Sequence, residues 1–309
     1  MTSARGIALA VDLGGTKVEA ALVTQDGHVL SDTRHRAPTG RTRSREGTAR
    51  AVETVVTRAL EAAPGVEVVG VGVGSAGPLS ISTGTVSPLN LPAWRTYPLA
   101  TLIRDITGLQ PTVRLDGTCI VLAEHWVGAL QNYRTALGMV VSTGVGGGLL
   151  VDGRIVRGRT GNAGHIGQIQ LATRTSPGLD YSVTLEGIAA GPQIVTWART
   201  QGWAGTSGED LADAYKAGNA VAILAVQRCA KAIAEGISSV GALLDLEAVA
   251  IGGGFSKVSQ DLFSFIRQNL GEIAPLSTMG DIRVVPSALS GDGPLIGAAG
   301  LVHRSDLIV

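Results

Sequence analysis

The sequence predicts an α/β protein built as two domains around a cleft. Three observations carry this. A chain of 309 residues is long for one small core and comfortable for two domains. Apolar runs of strand length alternate with segments of helical spacing. The pattern strand, glycine-rich turn, strand, Asp-Gly, strand occurs twice, once from residue 7 and again from residue 135.

The elements follow in order. An apolar run at 7–11 reads as a strand, 12–17 as a turn, 18–23 as the returning strand, and Asp26-Gly27 as a hairpin turn before a third strand at 28–33. Apolar spacing at Ala51, Val55, Val56 and Leu60 predicts a helix over 44–62. A buried strand at 66–73, an ordered loop over 81–98, a helix at 98–107 and a strand at 112–115 lead to Asp116, which opens a helix over 117–129. The second round has strands at 135–142, 149–151 and 155–157, with a glycine turn over 143–148. Helices are expected at 186–200, 208–217, 220–244, 259–270 and 294–303, with strands at 248–251 and 282–286. The expected domains are 1–115 plus about 290–309, and 116–289.

Composition removes several functions. Lys+Arg and Asp+Glu both number 25, so no net basic field exists to hold nucleic acid. Aromatics are only 4%, too few for an obvious base-stacking surface. Two cysteines, Cys119 and Cys229, exclude a disulfide framework and point to a reducing cytoplasm. No Cys-x-x-Cys pair, signal peptide or long apolar span is legible, so neither a cysteine zinc site nor a membrane is expected. The 43 glycines suggest close backbone approach and left-handed turns.

Three glycine-rich segments and one aspartate carry the chemistry. In Asp12-Leu13-Gly14-Gly15-Thr16-Lys17 the glycines let backbone N–H groups approach anionic oxygens, Thr16 and Lys17 can reach phosphate, and Asp12 can hold Mg²⁺ through water. Alone, such a hairpin can be only a turn. A second segment, with Thr143, Gly144 and Gly146, follows a strand in the same plan. Two such loops facing each other can clamp the phosphates of ATP between two domains. Neither is a Walker loop or a dinucleotide fingerprint. Gly253 and Gly254 follow another strand and suit contact with adenine or ribose, or serve as a plain strand-to-helix turn.

With those loops, Asp116 and the terminal Gly293-Pro294-Leu295-Ile296-Gly297-Ala298-Ala299 helix, nearly the whole chain resembles the ROK family of repressors, open reading frames and sugar kinases. The resemblance implies an actin-like ATPase fold of the ribonuclease H-like, hexokinase type, with an interdomain cleft for MgATP and sugar. Asp116 matches the family's general base; its alternative is a helix N-cap. Gly77, in the string 74–78, and Asn90, before Leu91-Pro92-Ala93-Trp94, match the sugar-cradling loops; for Asn90 the alternative is an Asx turn. A homodimer is implied by the family alone.

The departures concern the sugar. Leu115 stands where many members carry Asn before the catalytic Asp. His165 takes the place of a Glu, as in some N-acetylmannosamine-type kinases, or is a packed loop histidine. Gln168 replaces a histidine that touches sugar and zinc. The cysteines of the family's zinc segment are missing over 176–186, so no zinc is expected. Glu186 is a candidate sugar ligand or a first-turn helix glutamate. A kanosamine-type amino sugar is one candidate substrate, with Asp180 and Glu186 as ammonium partners. The expected reaction is phosphoryl transfer to a hexose or amino-sugar hydroxyl, at C6. The alternative is a catalytically weak sugar-binding sensor, kept open by Leu115, His165 and Gln168. A DNA-binding ROK repressor is disfavoured, because the first strand begins near residue 6 and leaves no room for a helix-turn-helix ahead of it.

Overall fold

A computed structural model describes residues 6–171, 183–273, 277–289 and 291–308. β1 (Ile7–Leu13), β2 (Lys17–Val23) and β3 (His35–Pro38) form an antiparallel meander. After α1 (Arg45–Glu61), β4 (Val68–Ser75) runs parallel to β1. A small hairpin of β5 (Leu79–Ser80) and β6 (Thr85–Val86) precedes α2 (Leu99–Thr107); β7 (Thr112–Leu115) then adds parallel to β4, and α3 (Asp116–Val127) follows. The second round opens with the antiparallel strands β8 (Ala136–Val141), β9 (Val145–Val151) and β10 (Arg154–Ile155). Helices α4 (Leu185–Ala189), α5 (Gly191–Thr200), α6 (Gly208–Lys216) and α7 (Ala220–Leu244) come next. β11 (Ala248–Gly252) pairs parallel to β8; α8 (Leu262–Ile273) and α9 (Ser277–Gly280) lead to β12 (Arg283–Pro286), parallel to β11, and α10 (Gly293–His303) ends the round.

The two five-stranded sheets have the same order, β3-β2-β1-β4-β7 and β10-β9-β8-β11-β12. The repeat expected from the sequence is therefore a repeat of topology.

Alternation within the strands decides what each sheet face packs against. In β1, Leu9, Val11 and Leu13 face the outer core with α1 and α2, while Ala8 and Ala10 face inward. In β11, Val249 and Ile251 join the outer core of the second sheet, and Ala248 and Ala250 the inner one. The inner faces carry small residues, and α3 and α10 lie between the two sheets against them. The approach is close: a Cβ on Gly72 of β4 would stand 1.8 Å from the carbonyl oxygen of Ala298. Many of the 43 glycines serve this packing and not the turns.

Caps set the helix ends. The Ser44 hydroxyl accepts from Gly47 N at 3.0 Å to start α1. The Asn219 side chain accepts from Val221 and Ala222 N to start α7, which stops at Asp245 in the left-handed region (φ 52°).

Several expected elements are corrected. The stretch 28–33 is not a strand: Val23 and Val29 form a single bridge, and Ser31–Thr33 is a 3₁₀ turn. The Thr33 hydroxyl accepts from Leu22 N, a side chain taking over a ladder bond, and the strand resumes at His35. The glycine turn expected over 143–148 shrinks to Thr143 and Gly144; the later glycines lie in β9, where α3 crosses so closely that a Cβ on Gly148 would meet Gly117 O at 2.3 Å. The helix expected over 186–200 breaks at Ala190 (ψ 142°), and α5 restarts with Pro192 in its first turn. The helix expected from 259 begins at Leu262, after a 3₁₀ turn at Gly254–Lys257.

Candidate active site

Asp12 falls on β1 in phase with Ala8 and Ala10, so its side chain points inward, toward α3. Asp116 is the first residue of α3; the N-cap is Leu115, and Asp116 Oδ1 accepts from Gly117 N at 2.7 Å. The alternation of β1 and the start of α3 thus set two carboxylates against each other between the sheets. Burial, and next the charge of Asp116, push Asp12 up to about 7. Burial also holds Asp116 above the ordinary carboxylate range, against the pull of the Gly117 N–H and the His165 side chain.

Both aspartates line a cleft of about 950 Å³. The other candidate ligands, Asp180 apart, border it too: Gly14, Gly15, Thr16, Lys17, Gly77 and Asn90 from the first sheet's loops, and Thr143, Gly144, Gly146, His165, Gln168, Glu186, Gly253 and Gly254 from the second's. The wall is tightly set. A Cβ on Gly15 would lie 2.7 Å from Asn90 Cβ, so the first glycine turn and the Asn90 loop touch. Gly253, at φ 95°, leaves 2.3 Å between a would-be Cβ and Val141 O.

The side chains divide by what they already hold. Among the described residues the Asn90 amide makes no hydrogen bond, so the Asx turn is absent and the group faces the cleft. Trp94, at the end of the same string, is instead an anchor: it is fully buried, donates Nε1 to Arg45 O at 3.0 Å and stacks on Tyr97 at 3.8 Å. His165 is exposed on the cleft wall, with Nδ1 3.0 Å from Asn162 O. Asn162 in turn bonds the backbone of Leu79 through both N–H and C=O, joining the two rounds of the fold. Glu186 accepts from Val145 N at 2.8 Å and from Gln168 Nε2 at 3.3 Å, tying α4 to the second glycine turn. Asp180 and most of the 176–186 segment, where zinc ligands are missing from the sequence, lie outside the described residues.

Sequence reasoning missed Glu19. It is buried on β2, bonds Lys17 Nζ at 2.6 Å, and also pairs with Arg34 and Arg36. Burial works against its ionised form, but Lys17, Arg36 and Arg34 outweigh it and hold the carboxyl below its usual value. Arg34 continues to Asp292 and Gly291 O, at the entrance to α10. The signal was a single Glu amid buried apolar residues of a strand. Arg41 and Lys257, also on the cleft wall, were missed because surface cations in loops carry no pattern.

A sequence profile of the ROK family matches residues 8–305. The chain belongs to the ROK family. Within it, a glucokinase from Thermotoga maritima is 28% identical, the match covering 96% of this chain and 97% of the relative. An N-acetylmannosamine kinase from Escherichia coli O6:H1 is 30% identical over 94% of this chain and 97% of its own. The solved ROK glucokinase from Streptomyces griseus, in complex with glucose and AMPPNP, superposes with a TM-score of 0.81 at 27% identity, covering 96% of this chain and 99% of that one. A ROK transcriptional regulator, a homologue of the E. coli MLC protein, gives a TM-score of 0.84 at 22% identity over 97% of this chain and 78% of that one, which shows the fold alone. The fold of this ROK protein is thus the actin-like ATPase fold of ROK hexokinases.

Proposed function

We propose that this ROK protein is an ATP-dependent sugar kinase that moves the γ-phosphoryl group of MgATP to the 6-hydroxyl of a hexose or amino sugar, with Asp116 as the base. The observation that supports it is the convergence of a buried carboxylate at a helix start with two glycine turns on one cleft. Relatives that are glucokinases and an N-acetylmannosamine kinase support the sugar class and leave glucose and mannosamine derivatives as the first candidates.

In this reading Asp116 accepts the hydroxyl proton as the oxygen attacks phosphorus. The turn Gly14–Lys17, through Gly15 and Thr16, and the turn at Thr143–Gly144 offer backbone N–H groups to phosphate oxygens, and Gly253 and Gly254 border the nucleoside. Magnesium would come with the nucleotide and supply positive charge at its phosphates. Among the described residues no group of three His, Cys, Asp or Glu is placed to hold a metal, and one carboxylate, Asp12, suits an ion that keeps water and phosphate oxygens as its other ligands. Asn90, His165, Gln168 and Glu186 would bind the sugar, Gly77 leaving room for it. The proposed lobes, 1–115 with about 290–309 and 116–289, close over both substrates and exclude water.

The test is ADP release with MgATP against glucose, mannose, fructose, glucosamine, kanosamine and the N-acetylated amino sugars. Strong turnover of one sugar supports the kinase and names its substrate. Sugar-dependent thermal stabilisation without ADP release would instead make the protein a sensor.

A further inference from the structure

The charge of the cleft does not balance for a polyphosphate. Among the described residues its wall has three carboxylates, Asp12, Asp116 and Glu186, and three Lys or Arg side chains, Lys17, Arg41 and Lys257. Lys17 is tied to Glu19 at 2.6 Å, a carboxylate it shares with Arg34 and Arg36. Among the described residues Arg41 and Lys257 make no side-chain hydrogen bond or ion pair. Without them the described wall would set three carboxylates against one paired lysine, a poor field for a triphosphate.

Both cations sit on short, anchored turns, one from each sheet. The chain leaving β3 is laced onto the first glycine turn: Thr39 N donates to Thr16 O and Thr39 Oγ1 to Gly14 O, both at 2.9 Å, and Arg41 follows two residues later. Lys257 ends the 3₁₀ turn that starts at Gly254, pinned by buried Phe255 and by Ser256 Oγ donating to Gly253 O at 2.7 Å.

We propose that Arg41 and Lys257 are phosphate-binding residues that reach the nucleotide's phosphate chain from opposite walls of the cleft, so that the polyanion draws the two walls together. This rests on reading the cleft as the nucleotide site, and it assigns the counter-charge to residues outside the glycine turns. Two exposed cations facing the same cleft repel, and a bound polyphosphate turns that repulsion into two attractions.

The experiment compares wild type, Arg41→Ala, Lys257→Ala, the double variant and Arg41→Lys. Calorimetry would measure binding of a non-hydrolysable ATP analogue and of adenosine, at low and high salt. Each single variant should weaken the analogue about 5- to 10-fold and the double variant about 25-fold or more, with adenosine unchanged. The loss should shrink at high salt, and Arg41→Lys should keep most of the affinity. Analogue binding within twofold of wild type in the double variant would overturn the proposal; so would equal weakening of analogue and adenosine. Wild-type protein that fails to bind the analogue would overturn this and the kinase reading together. Wild-type protein that binds it but phosphorylates no sugar would remove the kinase reading alone, leaving the comparison fully readable.

Discussion

At the scale of residues, the proposed base Asp116 and its neighbour Asp12 should set the pH behaviour. Asp116 must be ionised to accept a proton, and burial raises its pKa. As pH falls the base is lost, so kcat/KM for the sugar should decline on an acid limb whose midpoint lies above the ordinary Asp value of about 3.9. A limb at or below that value would contradict the buried base. The two carboxylates titrate as a coupled pair, so the midpoint belongs to both. Asp12 gives a second test. Its pKa rises from an ordinary 3.8 to about 7 in the fold, so the fold favours its protonated form. That contribution to stability is complete below pH 3.8 and lost as pH rises through about 7. Asp12→Asn, neutral at every pH, should gain in Tm relative to wild type between pH 4 and pH 8. A Tm difference that stays constant with pH would refute the shift. Glu19, whose depressed pKa acts in the opposite direction, is present in both proteins.

At the scale of elements, α3 and α10 matter most, because the first carries Asp116 and both are wedged between the sheets. A Cβ on Gly297 would lie 1.9 Å from Cys119 O. Gly297→Ala should force the helices apart and lower unfolding stability by about 1–3 kcal/mol, measured by denaturant titration. A loss below about 0.5 kcal/mol would show that the helices have slack. Much at this scale was legible in the sequence. The strand at Thr112–Leu115 and the helix at Ala220–Leu244 stand where their periodicity places them. The departures share a cause: tertiary contacts overrode local signals. Glycines 146–148 read as a turn but form a strand under α3, and Thr33 spends its hydroxyl on a neighbouring strand. The sequence order of apolar residues tells which face is buried, but not how near the facing helix comes.

For the whole molecule, the duplication of one five-stranded plan creates the cleft, since each copy brings a glycine turn to the same end. That much follows from the repeated pattern in the sequence. The charge arrangement does not, because Glu19, Arg34 and Asp292 meet only in the fold and lie 273 residues apart at their extremes, counting from 19 to 292. The most direct test of the account is Asp116→Asn, with binding and turnover measured side by side. The account predicts that the variant binds a non-hydrolysable ATP analogue and the preferred sugar within a fewfold of wild type, while kcat falls by about 10²–10⁴. Retention of kcat within tenfold of wild type, or loss of binding as large as the loss of turnover, would contradict Asp116 as the base.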